Sequence, residues 1–238
     1  MADHPDAYRQ NLLLASLPAS DLALLKPGLI QTELKQETLL HDQNDEIETV
    51  YFPHSGMVSL LAVMDDGTAI EVGTAGRQGM VGAPAGLGFK LASTRAVVQL
   101  PGQASKISAR LFRAAVQQSA MLKEMIIRHK EALLVQTQHI AACNSLHKVE
   151  ARLCRWILQS SDHIDSEQIP LTQEFLAEML GVRRTTVTLA AATLQKAGLI
   201  NYRRGKIQII DRAGLEDMVC ECYRTTKDRV TKILLPSR

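Results

Sequence analysis

The hydrophobic period of the chain changes once, near Ser108, and that change limits the folds open to it. From Leu29 to about Ile107 the apolar residues come in short β-rich runs: "LIQTEL", "TVYFP", "MVSLLAVM", "TAIEVGT" and "TRAVVQL". Turn formers separate them, at His54-Ser55-Gly56, Asp65-Asp66-Gly67, Gly76 and Pro101-Gly102. About eight strands in so short a span predict a small antiparallel barrel or jelly roll. From Ser108 onward the apolar residues recur at helical spacing. The expected class is therefore α+β. Ahead of the strands, residues 7–26 read as short helices, with Ser20-Asp21 as a cap before "LALL".

The helical half opens with Ser108 as a cap for a helix through Gln118. A long helix follows, from about Ala120 to Asn144. Leu122, Ile126, His129, Leu133, Gln136, Ile140 and Cys143 alternate steps of four and three along it, which is the spacing of a coiled-coil seam. His129 and Gln136 interrupt the seam. A second stripe, Ile127, Leu134 and Ala141, is expected to face the strands. Two apolar faces on one helix predict packing on its own domain and on a twin, with the Leu122–Ile140 seam as the dimer interface. "HKVEARLCRWILQ" reads as a further amphipathic helix, and "SSDHIDSEQIP" as a polar connector ending at Pro170. The expected division is residues 1–118, 119–144 and 145–238.

Length and charge agree with that division. The 238 residues suffice for two modest domains with one core each. Net charge is +2, but residues 171–238 carry 12 Lys/Arg against 7 Asp/Glu, whereas residues 1–170 carry 15 against 18. A basic end of this kind suits a polyanionic partner. Residues 1–10 are polar and no apolar run approaches membrane length, so no signal peptide, no membrane partner and a cytoplasmic place are expected. Cys143, Cys154, Cys220 and Cys222 lack CxxC spacing and fit reduced thiols. Cys220 and Cys222 invite a metal-binding or oxidant-sensing reading; ordinary cysteines on an amphipathic helix are the expectation, with no metal assigned.

The basic end has its own order. In "LTQEFLAEML" Thr172 caps a helix whose apolar face is Phe175, Leu176, Met179 and Leu180, with Gln173 and Glu174 in the first turn. Gly181 breaks it where a left-handed residue is needed. A second helix starts near Arg183, with Val187, Ala191 and Leu194 on one side. That is the spacing of a helix-turn-helix. "AGLINYRRGKIQIID" adds two β runs around Arg203-Arg204-Gly205-Lys206, a hairpin with a basic tip, and so completes a winged helix-turn-helix. Between Met179 and Ile210 there are six Lys/Arg and no Asp or Glu. Threonine is a mediocre helix former, so Thr185, Thr186 and Thr188 point to another use. Their hydroxyls bond phosphate or base edges and their methyls meet thymine. Arg183 and Arg184 stand at the helix N-terminus, which also favours phosphate. The expected partner is double-stranded DNA, read by the second helix in the major groove with the wing on the backbone.

The order of short helices, jelly roll, long helix and winged helix-turn-helix resembles that of the CRP/FNR family of transcription regulators, over nearly all of residues 10–225. The likeness is most specific at "LTQEFLAEMLGVRRTTVTLAAATLQKAGLI". It implies a homodimer on a partly palindromic site, in contact with RNA polymerase. Arg184 matches the arginine just before the recognition core. Thr185 falls where many members have glutamate and Leu189 where the best-known have a second arginine, so a different site is expected; Leu189 either touches a thymine methyl or packs inward.

In cyclic-nucleotide-binding members one loop carries Gly-Glu and, some ten residues on, Arg-Ser/Thr-Ala. Here the corresponding stretch places Gly82-Ala83 at the first pair and Ser93, Thr94 and Arg95 near the second. Arg95 reaches the arginine position only with a two-residue shift, which preserves strand parity. Losing the carboxylate that accepts a buried hydroxyl costs about 1–3 kcal/mol. Ordinary cyclic AMP is therefore not the expected ligand; the jelly roll is expected to hold another small-molecule effector or none, a classical cyclic AMP or cyclic GMP response is the alternative, and no cofactor is assigned. The cysteine cluster of the family's oxygen sensors is N-terminal, whereas the first cysteine here is Cys143. Haem ligation by His41, His54 or His129 is set below simple packing. No catalytic constellation emerges, and "HDQNDEIE" reads as a solvated loop, so no enzyme is expected.

Overall fold

The alternating runs build two antiparallel sheets. The computed structural model describes residues 7–164 and 166–235; residues 1–6 and 236–238, at the ends of the outer expected domains, and Asp165 of the expected connector lie outside them. One sheet has the order β1-β7-β3, from Ile30–Leu34 (β1), Gly102–Ser108 (β7) and Thr49–Pro53 (β3). The other has the order β2-β6-β4-β5, from Leu39–His41 (β2), Arg95–Leu100 (β6), Met57–Val63 (β4) and Ala69–Ala75 (β5). Inward residues of both sheets, Leu34, Val58, Leu60, Ala75, Ala96, Val98 and Ala104, close a jelly roll around themselves. Seven strands are formed there among the described residues, where the sequence predicts about eight. The stretch between β5 and β6 is rich in glycine and makes only the isolated bridges Glu46–Leu91 and Tyr51–Val81 and a 3-10 turn over Ala83–Leu87. Glycine supplies neither side-chain packing nor β preference to hold a ladder there.

Short helices cover one end of the roll. Asn11 caps α1 (Leu12–Ser16), its Oδ1 accepting from the Leu13 and Leu14 N–H groups at 3.1 and 3.2 Å. Helix α2 (Ala19–Leu25) starts earlier than its expected cap: Pro18 precedes it, and Ser20 and Asp21 lie in its first turn. Helix α3 (Ala109–Gln118) begins at Ser108 as expected, with Oγ accepting from the Leu111 N–H at 3.3 Å. Helix α5 (Val149–Ile164) runs on into the expected connector, and the rest of that stretch supplies β8 (Gln168–Pro170).

The long helix α4 (Ala120–Leu146) forms, but its two faces are exchanged relative to the sequence expectation. Leu122, Ile126, His129 and Ile140 are buried against the chain itself, Leu133 and Gln136 are half-buried, and Ile127 and Leu134 are 53% and 50% exposed. The polar members of the seam explain the choice. His129 Nε2 accepts the Met80 N–H at 3.1 Å, and Gln136 Oε1 accepts the Thr74 N–H at 3.0 Å. Each satisfies a backbone donor of the roll that has no ladder partner, which a twin helix would not do. Burial holds the His129 imidazole neutral, with its pKa down to about 4.

The C-terminal elements close back on the roll. After α8 (Arg212–Met218), helix α9 (Cys222–Leu234) lies along α4, and Val230 and Leu234 enter the same core as Leu13, Leu17, Met125 and Ala132. On the other side, Met57, Leu61 and Leu100 of the roll share a core with Trp156 and Leu153 of α5. Trp156 Nε1 donates to Glu71 Oε1 at 3.2 Å, and Ser59 Oγ donates to Glu71 Oε2 at 2.7 Å. Burial pushes the Glu71 carboxyl up to about 7 against the pull of these bonds and of Arg155.

Candidate nucleic-acid interface

Helix α6 (Gln173–Leu180) is started by Thr172, whose Oγ1 accepts the Phe175 N–H at 3.3 Å. It ends at Gly181, φ 59° and ψ 40°, whose N–H closes on the Ala177 and Glu178 carbonyls. A side chain in that left-handed conformation is strained, and a Cβ would stand 2.7 Å from Ile70 Cδ1 of β5. The left-handed turn is what calls for glycine, and a larger residue would also have to displace the Ile70 side-chain end.

Helix α7 (Arg184–Lys196) follows with Arg183 at its N-cap. Val187, Ala190, Ala191 and Leu194 pack inward. Arg183, Arg184, Thr185 and Thr188 are exposed and Thr186 is half-buried. Leu189 is 71% exposed, which settles its direction as outward. Thr188 Oγ1 donates to Gln173 Oε1 at 2.9 Å and back to the Arg184 carbonyl at 3.1 Å, so α6 and α7 are tied across their exposed edge.

The wing is a hairpin of β9 (Ile200–Arg203) and β10 (Lys206–Ile209), with β8 on its other side. Its two central residues, Arg204 at φ 50° and Gly205 at φ 71°, are both left-handed, the signature of a two-residue type I′ turn that matches strand twist. Arg203, Arg204 and Lys206 are exposed at the tip. A groove lined by Thr172, Gln173, Glu174, Arg184, Tyr202 and Arg204 joins the starts of both helices to the wing. Residues 30 positions apart in sequence therefore meet at one open surface.

Two residues of this groove make pairings that the sequence does not predict. Glu174 pairs with Arg184 at 2.6 Å, with both side chains more than half exposed. Such a pair is worth about 0–1 kcal/mol, little enough for a phosphate or a base to take the arginine. Tyr202 donates its hydroxyl to the Leu171 carbonyl at 2.9 Å and pins the wing to the start of α6. Neither pairing shows in a local motif.

The residues expected to line an effector pocket differ in burial and in bonding. Gly82 and Ala83 lie at the start of the 3-10 turn, with Ala83 buried in the core shared with α3 and α4. Ser93 is exposed and Thr94 half-buried. Arg95 is engaged: Nε and Nη2 donate to the two carboxylate oxygens of Asp42, each at 2.8 Å. This bidentate contact occupies the fork that a cyclic phosphate would need. The histidines are likewise engaged or packed. His54 Nε2 meets Ser105 Oγ at 3.0 Å, His129 bonds Met80, and His41 is half-buried with its pKa lowered by burial.

Residues 31–119 match the family model of the cyclic nucleotide-binding domain, and residues 151–218 that of the Crp-like helix-turn-helix domain. No curated protein sequence matches the chain. Solved structures do. A regulator of the crp/fnr family from Eubacterium rectale superposes with a TM-score of 0.69 at 19% identity, over 88% of this chain and 98% of its own. FixK2 from Bradyrhizobium japonicum gives 0.68 at 12% identity, over 81% and 98%. CLP from Xanthomonas campestris, a c-di-GMP responsive global regulator, gives 0.64 at 19% identity, over 81% and 99%.

Proposed function

Because the chain belongs to the CRP/FNR family of transcription regulators, we propose that it binds a partly palindromic DNA site as a homodimer and contacts RNA polymerase in the cytoplasm. The observation that carries this reading is the outer face of α7. Arg184, Thr185, Thr188 and Leu189 stand outward beside a basic wing, with no acidic residue from Met179 to Ile210. A helix N-terminus and three wing cations suit phosphate, and the α7 side chains suit base edges. Leu189 in place of a charged reader favours contact with a thymine methyl. No enzymatic role is proposed.

Selection of bound sequences from random duplexes tests the reading directly, with an inverted repeat as the expected product. Arg184→Ala is expected to lose about 1–3 kcal/mol of discrimination at one base pair, whereas Lys206→Ala weakens all duplexes evenly and lowers the salt slope by about one. Equal losses on specific and random DNA for Arg184→Ala would contradict the assignment. Glu174→Gln, which removes the competing carboxylate, is expected to tighten binding to both.

The dimer contact proposed is the outer stripe of α4, Ile127, Leu134 and Ala141, since the seam expected from sequence is covered. Cyclic AMP is not the proposed effector, because Asp42 holds Arg95 and no carboxylate stands at Ala83. Calorimetric titration of the full chain with cyclic AMP and cyclic GMP is expected to show no binding at micromolar ligand. Binding in that range would restore the classical response.

A further inference from the structure

The four side chains Cys143, His147, Cys220 and Cys222 gather where the end of α4 meets the start of α9. Three of the cysteines expected to be ordinary lie together, buried, beside the half-buried His147. Cys154 alone remains a packed thiol, pushed up to about 12 by burial.

We propose that Cys143, His147, Cys220 and Cys222 form a tetrahedral site for a single zinc ion that clamps the C-terminal helix to the long helix. Cys143 and His147 are four residues apart at the end of α4 and so share a face. Cys220 and Cys222 flank Glu221, the N-cap of α9. All four ligand atoms lie within 4.8 Å of one another. Cys143 Sγ is 3.5 Å from Cys220 Sγ, and Cys222 Sγ is 3.6 Å from His147 Nδ1. Bonds of about 2.3 Å to sulfur and about 2.0 Å to nitrogen give tetrahedral edges of about 3.8 and about 3.5 Å. The Cys143–Cys220 and Cys222–His147 separations are thus close to those edges, and every other one is within 4.8 Å. An iron–sulfur cluster sets its thiolates farther apart, because irons and sulfides fill the middle. A disulfide uses two thiols and leaves the third and the imidazole without a role.

The donors fix the class of metal. Thiolates with one imidazole select zinc over calcium or magnesium, which take oxygen ligands. The outer contacts fit as well. His147 turns Nδ1 to the sulfurs and Nε2 to the Glu221 carboxylate at 3.3 Å. A ligating histidine characteristically gives its second N–H to such a carboxylate, which fixes the tautomer. Three thiolates and a divalent ion leave one negative charge. The buried guanidinium of Arg155, which lies against Cys143, supplies the opposite one.

Elemental analysis of the full chain, purified without a metal-affinity tag from zinc-supplemented cells, is expected to give about one zinc per chain, as a closed four-ligand site requires. After removal of zinc, one equivalent of cobalt(II) is expected to produce sulfur-to-cobalt charge-transfer absorption and the visible bands of a tetrahedral site. Cys143→Ser and Cys222→Ser should abolish both signals, and Cys154→Ser should leave them unchanged. Glu221 is exposed and touches no core, so Glu221→Ala should fold and lower zinc affinity about 10- to 100-fold in chelator competition. A folded wild-type chain without stoichiometric zinc and without a cobalt charge-transfer band overturns the proposal. So does wild-type zinc content in Cys143→Ser, or unchanged affinity in Glu221→Ala.

Discussion

Glu71 is buried where the roll meets α5, bonded by Ser59 and Trp156 and lifted to about 7 by desolvation. Its folded pKa lies above the ordinary carboxylate value, so the folded state holds the proton more tightly than the unfolded one. The stability this contributes is complete below about pH 4 and is lost as pH rises to about 7. Glu71→Gln, which cannot ionise, is expected to be the more stable chain at pH 8, by about 2–4 kcal/mol. Urea midpoints of both chains from pH 5 to 8 check this, and a constant difference across the range would refute it. His129 titrates in the opposite sense and lower, near 4, and is common to both chains, so it cancels in the comparison. In sequence Glu71 is one polar residue in a β run, because its partner Trp156 is 85 positions away. Arg184 and the wing cations are legible because their meaning lies in their own short motif.

At the scale of elements, helices and strands follow from period, and the turn at Gly181 follows from chemistry. Gly181→Ala is expected to cost about 1–2 kcal/mol from left-handed strain, before any displacement of Ile70. A matching fall in urea midpoint checks it. The direction in which α4 faces is a different kind of fact. Both its stripes are apolar, and hydrophobicity alone does not rank them. His129 and Gln136 do, because a polar side chain goes where a backbone N–H needs an acceptor. A doubly charged variant, Ile127→Glu with Leu134→Glu, is expected to convert the proposed dimer to a monomer in analytical ultracentrifugation. Leu133→Glu is expected to destabilise the fold instead. Dissociation caused by Leu133→Glu at unchanged stability would return the dimer contact to the seam read from sequence.

Across the whole molecule, the roll and the winged module share one core, since Met57, Leu61 and Leu100 pack with Trp156, Leu176 and Met179. Calorimetry is accordingly expected to show one unfolding transition rather than two well-separated ones. The sequence displays two modules because composition and period change between them; it does not display their contact, which is made by residues scattered over the full length. Helix α9 extends that lesson. Val230 and Leu234 finish a core begun by Leu13 and Leu17, so that core stays open while some two hundred further residues emerge from the ribosome. During that interval its apolar surface is available to chaperones and to other nascent chains. Ribosome-stalled fragments ending before residue 222 should therefore be protease-sensitive even within the N-terminal strands.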